Sequence, residues 1–106
     1  MRIVRTTVFT KALKKLGASA ADLGALEMEI AANPQAGDVI PGLGGARKIR
    51  FSMAGKGKRG GGRAIYIAVV REDTVYLLTA YSKAKKDDLT QADKTALKTL
   101  IAVLTT

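Results

Sequence analysis

The stretch GRAIYIAVVREDTVYLLTAY, residues 62–81, contains two runs of β-branched and aromatic residues separated by the polar segment RED, residues 71–73. Such runs on either side of a short polar segment are typical of two antiparallel strands joined by a tight turn. The sequence therefore predicts one strand from Gly62 to Val70, a turn at Glu72-Asp73 and a second strand over residues 75–81.

The segment before this hairpin is rich in glycine, because most of the eleven glycines of the chain lie between Gly37 and Gly62. A strand at about Ala46 to Met53, followed by a glycine-rich turn at Ala54 to Gly61, adds a third strand to the predicted sheet. The three strands together are expected to form an antiparallel meander.

The N-terminal region predicts a short strand and a helix. Residues 2–9, RIVRTTVF, are rich in β-branched types and supply the strand. Thr6 or Thr7 then caps a helix that runs to Leu16 and ends at Gly17.

Two further helices begin with the pattern of a capping box. The first pattern is Ser19 with Asp22, and its helix ends at Asn33-Pro34. The second is Thr90 with Asp93, and its helix runs to the C-terminus. Apolar residues recur in them at helical spacing: Leu23, Leu26 and Ile30, and then Ala96, Leu97, Leu100, Ile101 and Leu104. The order β-α-α-β-β-β-α predicts a single α+β domain over residues 1–106. Two N-terminal helices and a C-terminal helix pack on its small, mainly antiparallel sheet.

The composition is strongly basic, with 18 Lys and Arg against 9 Asp and Glu and a net charge of +9. This balance predicts a polyanionic partner: nucleic acid, an anionic membrane surface or an acidic protein. The chain has no Cys and no His, which excludes disulfides, thiolate catalysis, zinc sites built on these residues and an imidazole base. Membrane binding has no strongly basic amphipathic helix to support it, and early lysines interrupt any signal peptide, so we expect a soluble, cytoplasmic protein.

The segment ARKIRFSMAGKGKRGGGRAIY, residues 46–66, contains several cations and no acid. These cations are Arg47, Lys48, Arg50, Lys56, Lys58, Arg59 and Arg63. An ordinary solvated surface mixes both signs of charge, whereas the glycines in this segment allow a backbone to approach a ligand closely. RNA or phosphate binding explains both features. The alternative is that the cations only keep a strand edge soluble.

The sequence supports neither a dinucleotide site nor a metal centre. Gly55, Gly57 and Gly60 match the spacing G-x-G-x-x-G, but the dinucleotide motif opens a helix and this match runs into a predicted strand. The acids are scattered, and the adjacent pairs Glu72-Asp73 and Asp87-Asp88 fall at a turn or a helix start. We therefore expect no metal ion and no small-molecule cofactor.

RNA can be cleaved without a metal ion or a cofactor, because its own 2′-hydroxyl can attack the adjacent phosphate. The protein then supplies positioning, proton transfer and charge stabilisation, which Lys, Arg and Tyr side chains can provide. Tyr81 and Lys83 lie two residues apart and are expected to share a face of the sheet, which Arg63 reaches if the register allows. Neighbouring cations are expected to lower the pKa of this tyrosine. The alternative for Tyr81 is an aromatic that covers the core, the role predicted for Tyr66 and Tyr76.

Three motifs carry a resemblance to a known family. They are GDVI-x-G-x-GG-x-RKIR from Gly37, GKGKRGG-x-R from Gly55 and YLLT-x-Y-x-K from Tyr76. In this combination the chain resembles the HigB-like branch of the RelE/ParE toxin superfamily, over about residues 23–104. The resemblance implies a RelE-like fold and the toxin of a type II toxin–antitoxin pair. Such a toxin inhibits translation as a ribosome-dependent, metal-independent endonuclease that cleaves mRNA in the ribosomal A site.

The resemblance also implies partners and residue roles. The partners are the ribosome, its mRNA and a cognate antitoxin, expected to be of the helix-turn-helix type. Lys56 and Lys58 contact the phosphate and the transition state, Arg63 clamps the phosphate or protonates the leaving group, Tyr81 acts as base or stacking residue, and Lys83 is a supporting cation. Some relatives use a catalytic His, which is absent here. The alternatives are a gyrase-directed toxin of the ParE branch and a non-catalytic RNA-binding relative.

Overall fold

A computed structural model of the chain describes residues 1–53 and 61–106. In these ranges the elements are β1 (Arg2–Arg5), α1 (Thr7–Leu16), α2 (Ala20–Ala32), β2 (Asp38–Val39), β3 (Arg47–Phe51), β4 (Gly62–Val69), β5 (Thr74–Ser82) and α3 (Gln91–Thr105). A 3-10 turn at Val70–Glu72 leads from β4 to β5. The predicted α+β class is confirmed, and β2 is an additional short strand that the sequence analysis did not predict.

The strands form one mixed sheet in the order β1-β5-β4-β3-β2. Strands β2 to β5 pair antiparallel, as the predicted meander requires, whereas β1 runs parallel to β5. The register of β4 and β5 shifts because Ile65 faces Thr79 but Tyr66 faces Leu77, which leaves Leu78 as an extra residue. A bulge of this kind changes the direction of the strand locally, and it lies just before Tyr81.

The helices of the described residues begin at side-chain caps. Of the two predicted candidates for α1, the cap is Thr6, whose hydroxyl oxygen accepts the Phe9 N–H at 3.1 Å. Both predicted capping boxes are present: Ser19 with Asp22, and Thr90 with Asp93. Gly17 ends α1 with φ 72°, a conformation that glycine adopts without strain. None of the helices that the structure describes combines the length and the apolar character of a membrane span.

Helices α1 and α2 cover one face of the sheet, and α3 covers the other. The first core consists of buried side chains from α1, α2 and the sheet, among them Phe9, Leu26, Ile30, Ile49, Phe51, Tyr66 and Leu77. The second core consists of side chains from the sheet, from the segment before β3 and from α3, among them Leu43, Ile65, Leu78, Tyr81, Leu97 and Ile101. Tyr66 has the predicted core role, and Tyr76 packs at the margin of the second core.

Replacement of Tyr66 by phenylalanine is expected to lower the free energy of unfolding by about 1–3 kcal/mol. Tyr66 is fully buried. Its hydroxyl donates to the Pro34 carbonyl at 2.8 Å and accepts the Gly37 N–H at 2.9 Å, so the substitution removes the partner of two backbone groups. Urea unfolding followed by circular dichroism measures the loss.

The matched control for this substitution is Tyr76→Phe. The Tyr76 hydroxyl donates to the Glu72 carboxylate at the surface, where a hydrogen bond to a charged group is worth less than about 1 kcal/mol. A Tyr66→Phe variant that is no less stable than Tyr76→Phe would show that the hydroxyl does not hold the segment before β2.

Candidate active site

One row of side chains crosses three strands of the sheet. Arg50 on β3 is paired with Arg63 on β4, and Arg63 is paired with Tyr81 on β5. Side chains at directly paired positions lie on the same face of a sheet. Since Tyr81 belongs to the core beneath α3, this row lies on the α3 side. The register thus meets the condition under which Arg63 and Tyr81 were predicted to share a surface.

Arg63 occupies the centre of this row and is only 8% exposed. Its Nη1 atom donates to the Gly62 carbonyl at 3.2 Å, which holds the guanidinium against its own strand. The adjacent Gly62 is also tightly constrained, because a Cβ atom there would lie 2.5 Å from the Phe51 ring. The backbone that carries Arg63 is therefore packed closely, and the guanidinium presents a positive charge in a fixed place.

Tyr81 is 7% exposed, and its pKa is raised to about 12. Burial is the main cause, the Asp88 carboxylate adds to it, and the positive charge of Arg63 opposes it. Arg63 does act to lower the pKa of Tyr81, as predicted, but burial and Asp88 outweigh it, so the expectation of a lowered pKa is wrong for the net shift. At neutral pH the phenol is protonated, which suits a proton donor better than a general base.

The segment between β5 and α3 covers Tyr81 and supplies residues that the sequence analysis missed. The Tyr81 hydroxyl lies 3.5 Å from the Oδ1 atom of Asp88, which also accepts the Lys48 Nζ at 3.2 Å. Lys86 Nζ lies 5.7 Å from the centroid of the Tyr81 ring, within the range of a cation–π contact, and forms an ion pair with Asp93. From the sequence, Asp88 was expected only to lie at a turn or a helix start, because no spacing rule relates it to Lys48 or Tyr81.

The other predicted site residues are distributed differently. Lys48 lies two positions from Arg50 on β3 and so shares its face. Arg47 lies on the opposite face, where its Nη1 donates to the Gly37 carbonyl at 2.8 Å. Lys83 follows the last residue of β5, and its Nζ donates to the Asp87 carbonyl at 2.9 Å. Three predicted residues, Lys56, Lys58 and Arg59, lie outside the described residues.

A groove of about 560 Å³ adjoins Tyr81 between α1 and the end of β5. Val8, Ala12 and Leu16 form its apolar side. Its basic side chains are Lys11, Lys15, Lys85 and Lys86. The positive charge of the site therefore continues beyond the sheet onto α1.

The row of side chains offers cations and one phenolic proton donor. Over residues 1–53 and 61–106, no three His, Cys, Asp or Glu side chains come together in a group that could hold a metal ion. What these side chains can do is bind an anion, stabilise negative charge that develops on it and deliver a proton to a leaving oxygen.

The whole chain, residues 1–106, matches the family described as the RelE toxin of the RelE/RelB toxin–antitoxin system, and it belongs to that family. The isolated E. coli RelE toxin is similar in fold, with 17% sequence identity and a TM-score of 0.59 over 93% of this chain and 97% of that one. An arginine double mutant of the same toxin in the free state has 15% identity and a TM-score of 0.54, over 81% and 86% of the two chains.

The family fixes the class of the protein. The chain is the toxin of a toxin–antitoxin system, and an antitoxin is its partner. The predicted RelE-like fold is confirmed by the two solved structures. Its placement in the HigB-like branch stays a prediction.

Proposed function

We propose that this toxin is a ribosome-dependent mRNA endonuclease that acts as a single domain over residues 1–106. The observation that carries the proposal is the direct pairing of Arg63 with Tyr81, which sets a fixed cation beside a protonated phenol on one face of the sheet. Cleavage of a phosphodiester needs a cation and a proton donor, since negative charge develops on the free oxygens of the phosphate and the leaving oxygen requires a proton. Membership of the RelE toxin family supports the same reaction.

In the proposed reaction the 2′-oxygen of the RNA attacks the adjacent phosphorus. The new P–O2′ bond forms while the P–O5′ bond breaks, which gives a 2′,3′-cyclic phosphate and a free 5′-hydroxyl. Arg63 binds the phosphate and stabilises its added charge, and the Tyr81 phenol gives its proton to the departing 5′-oxygen. The proton of the 2′-hydroxyl passes to solvent, from which Tyr81 is protonated again.

The remaining cations have supporting roles in this proposal. Arg50 lies in the same row as Arg63 and adds positive potential to the site. The phosphate contacts that the sequence predicts are assigned here to Lys56, Lys58 and Arg59. Lys83 is assigned the role of a supporting cation. Arg47 receives no part in phosphate binding, because its guanidinium holds the Gly37 carbonyl on the other face.

The distribution of charge supports the proposed macromolecular partners. The lysines of the groove beside α1 extend the basic surface. These lysines can contact the sugar-phosphate backbone of ribosomal RNA while Arg63 and Tyr81 contact the mRNA. The antitoxin is proposed to be an acidic protein of the helix-turn-helix type, whose charge complements a net charge of +9.

Purified toxin added to a cell-free translation reaction is expected to stop protein synthesis and to leave cuts in the message at codon boundaries. Primer extension on the recovered mRNA locates the cuts, and the same mRNA without ribosomes serves as the control and should remain intact. Unimpaired translation without cuts would contradict the proposal. Inhibition of DNA supercoiling would support a gyrase target instead. Salt-sensitive RNA binding without cleavage would indicate a non-catalytic relative.

A further inference from the structure

Asp88 connects three parts of the fold through one carboxylate oxygen. Its Oδ1 atom accepts the Lys48 ammonium of β3 at 3.2 Å and the backbone N–H of Leu89 at 2.8 Å, and it lies 3.5 Å from the hydroxyl of Tyr81 at the end of β5. The Asp88 side chain is itself 60% exposed. It therefore contributes little to either core, and the three contacts named above are with polar groups.

We propose that Asp88 is a positioning residue for Tyr81, which it holds protonated and oriented at the end of β5 by accepting the phenolic hydrogen bond. The inference rests on the proposed function of Tyr81 as proton donor. Lys48 and the Leu89 N–H fix the carboxylate, so the oxygen that meets the phenol does not rotate freely. This gives Lys48 an indirect role, as the anchor of Asp88, in place of the direct phosphate contact that the sequence predicts.

The charges around Tyr81 agree with this assignment. Arg63 on β4 faces the phenol from one side and favours its ionisation, while Asp88 and Asp93, from the segment before α3 and from α3, oppose ionisation. Lys86 lies over the ring and is paired with Asp93, which reduces its effect on the phenol. Asp88 is the acid among these that also contacts the hydroxyl. Its negative charge is kept by its own lowered pKa, for which the Leu89 N–H is the main cause.

The test compares Asp88→Asn with Asp87→Asn, which removes the same charge from the adjacent residue of the same segment. The titration of the Tyr81 phenol is followed by near-ultraviolet absorbance and by the NMR shift of its labelled Cζ atom, at each pH where the far-ultraviolet circular dichroism is unchanged. Tyr81→Phe identifies the signal. Asp88→Asn is expected to lower the pKa of Tyr81 by about one unit, and Asp87→Asn is expected to leave it near that of the unmodified protein.

Cleavage on programmed ribosomes supplies the second measurement. Asp88→Ala is expected to lower the single-turnover rate at neutral pH by about tenfold or more, because it releases the phenol. Asp88→Asn keeps an acceptor oxygen and is expected to restore most of that rate. A merely structural role would give an equal loss of rate in both variants and would leave the titration of the Tyr81 phenol unchanged.

Two results would overturn the inference: an unchanged Tyr81 titration in Asp88→Asn, or an equal shift in Asp87→Asn. The phenol titration does not depend on cleavage, so the inference and the proposed function can fail separately. If the titration shifts as expected while the unmodified toxin cuts no message, the proposed function fails and the contact between Asp88 and Tyr81 stands.

Discussion

Arg63→Ala is expected to lower the rate of mRNA cleavage by about a hundredfold to a thousandfold, the size of effect seen when one fixed donor to a developing oxyanion is removed. Arg63 lies at the centre of the row between Arg50 and Tyr81, so no neighbouring position on β4 can supply the same charge. Cells that express the variant should grow normally. Primer extension on their mRNA should show none of the cuts that the unmodified toxin makes.

The controls for Arg63 separate chemistry from folding. Arg71→Ala removes an arginine from the far end of the same hairpin, where the side chain donates to the Thr105 carbonyl, and is expected to retain cleavage. Arg63→Lys keeps the charge but loses the planar fork, and should recover only part of the activity. Because Arg63 is largely buried, far-ultraviolet circular dichroism and thermal unfolding must show that the alanine variant is folded. Full toxicity of a folded Arg63→Ala variant would contradict the site.

Tyr81→Phe is expected to lower the cleavage rate by about 10²–10⁴-fold, the usual contribution of a positioned general acid. Phenylalanine keeps the ring that packs in the core beneath α3, so the loss should appear in the rate and not in stability. A proton donor with a pKa of about 12 is active below that pH, and its activity falls as the pH rises through it. The rate of the unmodified toxin should therefore show no decline from this group between about pH 7 and about pH 9.

Tyr76→Phe removes the same hydroxyl from the same strand, where it binds Glu72, and should leave cleavage unchanged. Single-turnover rates on programmed ribosomes compare the two variants directly. If Tyr81→Phe cleaves as fast as the unmodified toxin, the ring of Tyr81 serves only as packing and the proton comes from another group.

The helices and long strands could be predicted from sequence because their signals are local. The capping boxes at Ser19 and Thr90 and the turn at Glu72-Asp73 each lie within a few neighbouring residues, and the structure places them as predicted. The strand Asp38–Val39 has only two residues, which is too short for any periodicity to show. The parallel pairing of β1 with β5 could not be predicted either, since no pattern within a strand specifies a distant partner.

The candidate site could be predicted only in part, where its signals are also local in sequence. Alternation along a strand predicted a shared face only for Tyr81 and Lys83, and Arg63 joined them only if the register allowed. The structure supplies that register, because it pairs Arg63 directly with Tyr81. The net shift of the Tyr81 pKa was opposite to the prediction, although Arg63 acts in the predicted direction, because burial beneath α3 and the approach of Asp88 depend on tertiary packing. For Arg47, the positive charge gave no indication that its partner would be the Gly37 carbonyl on the opposite face.

The parallel pairing of β1 with β5 delays completion of the sheet while the toxin is synthesised. The first strand and the Thr6 hydroxyl that follows it bond to residues as far as 72 positions ahead in the chain. Closing so long a loop is slow, and it cannot begin before β5 has left the ribosome that synthesises it. Strand β1 therefore has no strand partner until β5 has been synthesised. The sheet is therefore complete only after most of the chain has been synthesised, which gives an antitoxin already present in the cell time to meet the chain as it folds.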